Sequence, residues 1–425
     1  MSTSQVFRAV SRHFTRSSAL SGKLAGLGAV EAHAQGARIT LSDGRSMLDF
    51  GSYAVTLLGQ RHPAVVEAVR GQLDTMPVSS RSLVNPVTAA AAERLAGYLG
   101  GTLPRVYFGL NGADAVEVAV KLARLTTGRR RVLAVQGAYH GKSLGALALT
   151  HHERFREGLT DVLPPTTHLD PGDPRAVARS LADGDVAALI FEPVQGENGA
   201  RPLDPATLRE WCRTAKDAGV PVVADEIQCG LRRCGPPSVA LDMGLPVDAV
   251  LFGKPLGGGV VPISAMVCTD ELYRPLTEDP VRHTATFSGQ PLCCAAVPAA
   301  LDTVEQLAPH AERIAVRLEA GLRDLARVHA GAVTGVRGRG LLWGVGFADD
   351  AFAGEVLLGL TERGLLVSPC LSRPGTLRLL PPMVASPDDV DEALAALGEA
   401  VHAATGLKAG STPFGGPKTP TEVMG

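Results

Sequence analysis

Two short stretches carry side chains that could do chemistry. The first is Leu251-Phe252-Gly253-Lys254-Pro255-Leu256-Gly257-Gly258-Gly259. An apolar run through Val247, Ala249, Val250, Leu251 and Phe252 reads as a buried strand, and Lys254 stands just past its end. The glycine-rich turn that follows lets backbone approach a ligand closely. An amine held in such a place loses hydration, its pKa falls toward neutrality, and it becomes able to form a Schiff base with a carbonyl. The plain alternative is a lysine that snorkels from a strand end. The second stretch is Val220-Pro221-Val222-Val223-Ala224-Asp225-Glu226-Ile227-Gln228, an apolar strand that ends in two acids. Ligands gather at the carboxyl ends of strands in parallel α/β sheets, so an acid here could face one. A solvated strand terminus or a salt bridge would leave the same pattern.

These side chains need elements to position them. Apolar strands are expected at 131–135, 187–191, 220–224, 249–252 and 264–268, with helical stretches between most of them. That alternation predicts a largely parallel, doubly wound sheet over 66–305. Asn111-Gly112-Ala113-Asp114 precedes a helix whose apolar stripe is Ala115, Val118, Ala119 and Leu122, with Glu117 and Lys121 paired one turn apart. The amides of Gly112 and Ala113 at its start could hold a dianionic phosphate with help from the helix dipole, although a capped helix needs no ligand. Residues 1–65 read as a small N-terminal lobe, with a hairpin of 37–41 and 46–50 around Ser42-Asp43-Gly44. Residues 306–409 mix helix, a glycine-rich strand pair around 335–346 and a final helix at 387–403, and are expected to close back on that lobe.

The chain has 425 residues, 45% hydrophobic and 20% charged, so it can bury a large core and form two or three domains. A net charge of −2 points to neither nucleic acid nor an anionic membrane as a partner, and no apolar stretch approaches a membrane span. The seven cysteines are irregularly spaced, without paired CxxC motifs, and read as reduced thiols of a cytoplasmic protein with no metal site. The first twenty residues hold Arg8, Arg12, Arg16, five serines and no acid. That composition is shared by organellar presequences, while Phe7, Val10 and Phe14 fit an amphipathic helix, which is the preferred reading. The Gly-, Pro- and Thr-rich tail at 410–425 is expected to be disordered.

Taken in order, the chain resembles the class III, pyridoxal-phosphate-dependent aminotransferases of fold type I. The resemblance spans roughly residues 40–400. It is carried most specifically by Asp225-Glu226-Ile227-Gln228-Cys229-Gly230, Pro246-Val247-Asp248, Phe252-Gly253-Lys254-Pro255-Leu256-Gly257-Gly258-Gly259 and Pro262-Ile263-Ser264-Ala265. Asn111-Gly112-Ala113-Asp114-Ala115-Val116-Glu117, Tyr139-His140-Gly141 and Glu192-Pro193-Val194-Gln195-Gly196-Glu197 also match. So do Thr286-Phe287-Ser288-Gly289-Gln290-Pro291 and Arg378 ahead of Pro381-Pro382. The resemblance implies an α/β, PLP-dependent transferase fold type I. Its large domain has a mostly parallel doubly wound sheet, and both termini form a smaller α+β domain.

The resemblance also implies roles. Lys254 would carry pyridoxal 5′-phosphate as a Schiff base and move the proton between substrate and cofactor. Asp225 would hold the protonated ring nitrogen and keep the ring electron-withdrawing. The amides of Gly112 and Ala113 would cup the phosphate, and Thr286 would reach it from the neighbouring subunit, so the active sites are shared in a homodimer. Tyr139 would cover one ring face and Ile227 the other, with Gln228 on the ring hydroxyl. His140 is assigned a structural role only. Arg378 would grip a substrate α-carboxylate, and Glu197 would pair with it when the substrate lacks one. Tyr53, in the entrance segment Gly51-Ser52-Tyr53-Ala54-Val55, would line the pocket. Many family members have Ser where this chain has Asn111, and some have Ser or Thr where it has Ala113, which puts a hydroxyl contact to the phosphate in doubt. Gly59-Gln60-Arg61-His62-Pro63 also departs from the common Gly-His-x-His-Pro.

The expected activity is ping-pong transfer of an amino group from a donor, glutamate or another amino acid, to a keto or aldehyde acceptor, possible substrates including those of specialised metabolism. With no second arginine to hold a distal carboxylate, a 4-aminobutyrate-like substrate is disfavoured, and diamines or amino-ketones stay open. An aminomutase or amino-acid epimerase of the same family is the competing reading, followed by a decarboxylating transaminase. A non-catalytic module is disfavoured because Lys254, Asp225, Gln228, Thr286 and Arg378 are all present.

Overall fold

The computed structural model describes residues 1–80 and 82–410; past Gly410, the tail read from the sequence lies outside the described residues. At its centre is a seven-stranded sheet. From one edge to the other the strands are Arg105–Gly109, Ser264–Cys268, Ala249–Phe252, Val222–Asp225, Val186–Phe191, Arg131–Val135 and Thr166–Leu169. Ser264–Cys268 runs antiparallel to both neighbours, and the pairings from Ala249–Phe252 onward are parallel.

Sequence alternation explains how both faces are covered. Val132, Ala134, Ala188, Ile190, Val223, Ala249 and Leu251 pack with the Gly112–Thr127 helix, which buries Ala115, Val118, Ala119 and Leu122. Their alternates Leu133, Val135, Leu189, Phe191, Val222, Ala224, Val250 and Phe252 share the opposite core with Leu208 and Trp211 of the Pro205–Asp217 helix. Strands buried on both sides must be apolar at every position, which is why they read as continuous runs.

The strand expected at 220–224 begins instead at Val222 and runs through Asp225. Pro221 has no amide hydrogen to donate, but its carbonyl accepts from the Leu189 amide at 2.9 Å. The shift places Asp225 inside the ladder, opposite Leu251. Adjacent parallel strands end at the same edge, so Asp225 and the turn after Phe252 emerge together.

Elsewhere, Arg38–Leu41 and Ser46–Asp49 form the expected hairpin. Leu365–Leu366 adds to it in parallel, joining late and early parts of the chain. Val333–Arg339 and Leu342–Phe347 pair in a second, antiparallel sheet with Arg373–Leu379 and Ser368–Cys370. The N-terminus forms two helices rather than one, Thr3–His13 and Arg16–Ala25. Thr15 breaks the run because its hydroxyl caps the second helix, accepting from the Ser18 amide at 2.9 Å. Among the described residues no helix is long and apolar enough to cross a membrane.

Candidate active site

Of the residues given a catalytic, cofactor or substrate role from sequence, eight line one cavity of 290 Å³: Lys254, Asp225, Gly112, Ala113, Tyr139, Ile227, Gln228 and Glu197. Lys254 opens a short turn, Lys254–Gly257, directly beyond the buried Ala249–Phe252 strand. Its φ is +39°, in the left-handed region that non-glycine residues rarely occupy, so the surrounding structure fixes it against local preference. Gly253 before it is needed for space: a Cβ there would stand 3.1 Å from Ile227 Cγ2. Burial lowers the Lys254 pKa, and the charges of Glu197 and Asp225 offset that only in part. An amine so placed is readied for attack on a carbonyl.

Asp225 is 4% exposed and fully engaged. One oxygen accepts from the Ile227 amide at 3.1 Å, and the other meets His140 Nδ1 at 2.6 Å. Burial pushes the His140 pKa down, but the hydrogen bond and charge of Asp225 push it up by more, and the net shift is upward. The imidazole read from sequence as structural is the direct hydrogen-bond partner of the Asp225 carboxylate. Its Nε2 is buried and has no hydrogen-bond partner among the described residues.

Asn111 caps the Gly112–Thr127 helix through its side chain, which accepts from the Asp114 amide at 3.2 Å. The helix therefore starts at Gly112 itself, one turn earlier than a start after Asp114 would place it, and the first amides of a helix have no partner within it. A Cβ on Gly112 would lie 3.1 Å from the Ile227 side chain, so the apolar wall and the amide cup are built against each other.

Glu197 and Arg378 form a direct ion pair, 6% and 1% exposed. Glu197 also accepts from the Leu371 amide at 2.9 Å and from Gln228 Nε2 at 3.4 Å, while Arg378 donates to Gln228 Oε1 at 3.5 Å. Burial raises the Glu197 pKa, Arg378 and the Leu371 amide lower it by more, and the carboxyl ends below its ordinary value. Arg378 Nε has no hydrogen-bond partner among the described residues. Arg378 stands behind Glu197 and does not itself line the cavity.

Tyr53 and Thr286 are not brought to the cavity within the single chain. Tyr53 is 72% exposed. It sits in a left-handed run, Ser52, Tyr53 and Ala54, which is tied down by Asp49: its carboxylate accepts from the Gly51 amide at 3.1 Å, Ser52 Oγ at 2.5 Å and Gln60 Nε2 at 3.0 Å. That clamp holds the backbone just before Tyr53. Thr286 lies on an exposed loop, its carbonyl accepting from Gln290 Nε2 at 3.1 Å.

Two further lining residues, one of them inside a matching motif, were given no role from sequence. Glu192 is one; burial, with some help from Asp225, pushes its carboxyl up to about 7 against the opposing charges of His140 and Lys254. Its signal was available, since it follows an apolar strand as Asp225 ends one. Lys142 is the other. Its Nζ lies 4.9 Å from the centre of the Phe155 ring, which meets the Tyr139 ring edge-on at 5.9 Å. Nothing in the sequence marks it except its place after the Tyr139-His140-Gly141 motif.

An amine, an acid paired with a buried imidazole, an aromatic face, an apolar face and a helix start surround one space, and this donor set fits pyridoxal phosphate. Comparison with known proteins agrees. The chain is similar to the ornithine aminotransferase of Toxoplasma gondii, at 30% identity over 90% of this chain and 92% of that one, with a TM-score of 0.84. It is similar to an amine transaminase from an uncultivated Pseudomonas species in its PLP-bound form, at 26% identity over 88% and 95%, TM-score 0.82. A transaminase from directed evolution by ancestral reconstruction shares the fold, at 22% identity over 96% and 100%, TM-score 0.87. The family model for aminotransferase class-III matches residues 26–401, a span that takes in every residue lining the cavity, and the chain belongs to the class III, pyridoxal-phosphate-dependent aminotransferases of fold type I.

Proposed function

We propose that the enzyme takes its amino group from glutamate, or from another amino acid, and passes it to a ketone or aldehyde that lacks an α-carboxylate. The observation that carries this reading is the buried Glu197–Arg378 pair at the wall of the lysine's cavity. A buried arginine that already has an acid partner can serve two substrates in turn. When glutamate enters, Glu197 moves aside and the guanidinium fork holds the α-carboxylate in two hydrogen bonds. When the second substrate enters, Glu197 returns and no charge is left unpaired. Similarity to an ornithine aminotransferase and an amine transaminase supports an amine as the product side of the reaction.

When bound, pyridoxal phosphate supplies a carbonyl for the donor amine and an electron sink for the adjacent carbon. The residues of this chain do the rest. Lys254 Nζ, readied by burial, would hold the cofactor, then take the proton from the donor carbon and deliver it to the cofactor side of the same bond system. Asp225, fixed by His140, would hold the ring nitrogen. Gly112 and Ala113 would offer their amides to the phosphate, Tyr139 and Ile227 would cover the two faces of the ring, and Gln228 would hold its hydroxyl. The amino group stays in the cavity between the two half-reactions, which makes the kinetics ping-pong.

Thr286 completes the phosphate cup of a second copy in a homodimer. The surface near its loop supports this. Leu73, Met76, Val78, Leu83, Val84 and Phe287 are exposed apolar residues, and the two stretches are fastened by Ser79 N to Gln290 Oε1 at 2.7 Å and Thr88 Oγ1 to the Gly289 carbonyl at 2.8 Å. Tyr53 would meet substrate at the entrance of such an assembled site. Seven free cysteines, most of them buried, agree with a cytoplasmic setting.

The test is visible absorbance of the purified protein loaded with pyridoxal phosphate. A band that bleaches with glutamate and returns with a carbonyl substrate is expected, and Lys254→Ala should lose both band and turnover. A wild-type band indifferent to every amino acid, or an amine product formed with no 2-oxoglutarate released from glutamate, would replace transfer with isomerisation. Retention of turnover in Lys254→Ala would remove the lysine from its role.

A further inference from the structure

The segment that follows the Val186–Phe191 strand reaches two different walls of the cavity. Glu192 Oε1 accepts from the Tyr139 amide at 2.8 Å, and its Oε2 accepts from the Gly196 amide at 3.4 Å. Three residues on, Gln195 repeats the bridge. Its Nε2 donates to the Gln136 carbonyl at 2.9 Å, and its Oε1 accepts from Asn198 Nδ2 at 2.8 Å. Both bridges join the same two segments: 136–139, which ends in the aromatic cover, and 196–198, which carries the gate acid Glu197. Neither bridging side chain is open to solvent, Glu192 being 5% and Gln195 0% exposed. Close packing seals the joint. A Cβ on Gly137 would stand 2.9 Å from Gln195 Oε1, and one on Gly196 would overlap Gln228 Oε1.

We propose that Glu192 is a positioning residue that fastens the Tyr139 cover and the Gly196–Glu197 gate arm into one unit, with Gln195 as the second fastening. The inference rests on the roles given above to Tyr139 and Glu197. Its consequence is mechanical. The Glu197 side chain moves between substrates while the backbone that carries it stays in register with the ring cover, so the hold on the cofactor does not loosen each time the gate opens. A single carboxylate does this because it has two acceptor oxygens and the two amides approach from different loops. A carboxamide has one acceptor oxygen and can keep only one of them.

Amide hydrogen exchange of the cofactor-loaded enzyme tests this without turnover. In Glu192→Ala, the Tyr139 and Gly196 amides should both exchange about tenfold faster or more, while amides of the Val222–Asp225 and Ala249–Phe252 strands keep their wild-type rates. Glu192→Gln should protect one of the two amides and release the other, a partial rescue that a generally weakened fold would not give. In the same variants KM for glutamate should rise about fivefold or more, with a smaller change in kcat, because the arm is misplaced while the lysine is intact. Wild-type exchange at both amides in Glu192→Ala overturns the proposal. If that variant does not fold, Glu192→Gln decides, and wild-type exchange at both its amides, or release of both, overturns it too. A wild-type enzyme that glutamate fails to bleach overturns the functional reading instead, and the exchange result still stands by itself.

Discussion

Glu197→Gln isolates the gate. The change keeps the volume and one acceptor oxygen, removes the charge and turns the other oxygen into an amide donor. In the wild-type chain Glu197 and Arg378 are both buried, and Arg378 has little else to bind: Gln228 Oε1 lies at 3.5 Å and its Nε has no hydrogen-bond partner among the described residues. Removing one member of a buried ion pair costs about 3–5 kcal/mol, because the other is left charged in a poor solvent. The carboxamide oxygen still accepts one hydrogen bond, worth about 1 kcal/mol, so the net loss of stability should be roughly 2–4 kcal/mol, read as a lower urea midpoint at unchanged m-value. The same quantity predicts an opposite effect on binding. A glutamate carboxylate need no longer displace Glu197, and it restores the missing partner of Arg378. If about 1.4 kcal/mol of the lost stability is recovered on binding, glutarate and glutamate should bind the variant about tenfold more tightly. Titration of each dicarboxylate, followed through the cofactor absorbance, measures this directly. A simple primary amine should bind more weakly than to wild type, since the guanidinium then stays unpaired. Equal changes for dicarboxylates and amines would refute the gate, whatever the stability result.

Other outcomes follow from the same geometry. Gly196→Ala puts a methyl group into the Gln228 carboxamide; overpacking of this kind costs about 1–3 kcal/mol, and the displaced Gln228 should weaken cofactor retention, checked by dialysis against buffer and by urea unfolding. Lys142→Ala removes a cation from the cavity mouth, so kcat/KM for acidic substrates should fall and lose part of its salt dependence while neutral amines are unaffected; an unchanged salt dependence would remove Lys142 from recognition. Burial holds the folded Glu192 pKa at about 7, above the ordinary 4.5, so the folded chain keeps a proton that the unfolded chain has lost. That share of stability is fully present below about pH 4.5 and is lost as pH rises through about 7, and Glu192→Gln should flatten this part of the urea midpoint against pH in the cofactor-free protein.

What the sequence by itself determined was local and periodic. Continuous apolar runs marked strands covered on both faces, alternation decided which residue faced which core, and Asn111 ahead of Gly112 announced a capped helix start. Lys254 and Asp225 could be recognised because each follows or ends such a run, and because the motifs around them resemble one family in order. The sequence did not contain the neighbours. His140 meets Asp225 across 85 residues and Arg378 meets Glu197 across 181, and both pairings depend on strand order and loop paths, which periodicity does not encode. Glu192 had the right position after a strand, yet its role needed two amides from separate loops. Tyr53 was expected at the pocket; within the single chain it is exposed, in a segment that Asp49 holds through hydrogen bonds no local pattern reveals. The break at Thr15 that splits the N-terminal helix was a local cap, legible in principle but outweighed by the amphipathic spacing on either side. Chemistry that resides in one residue type at one kind of place can be read from sequence. Chemistry that arises when distant charges share a small buried space appears only when the sheet brings them together, because burial is what makes each unpaired charge costly and each partner necessary.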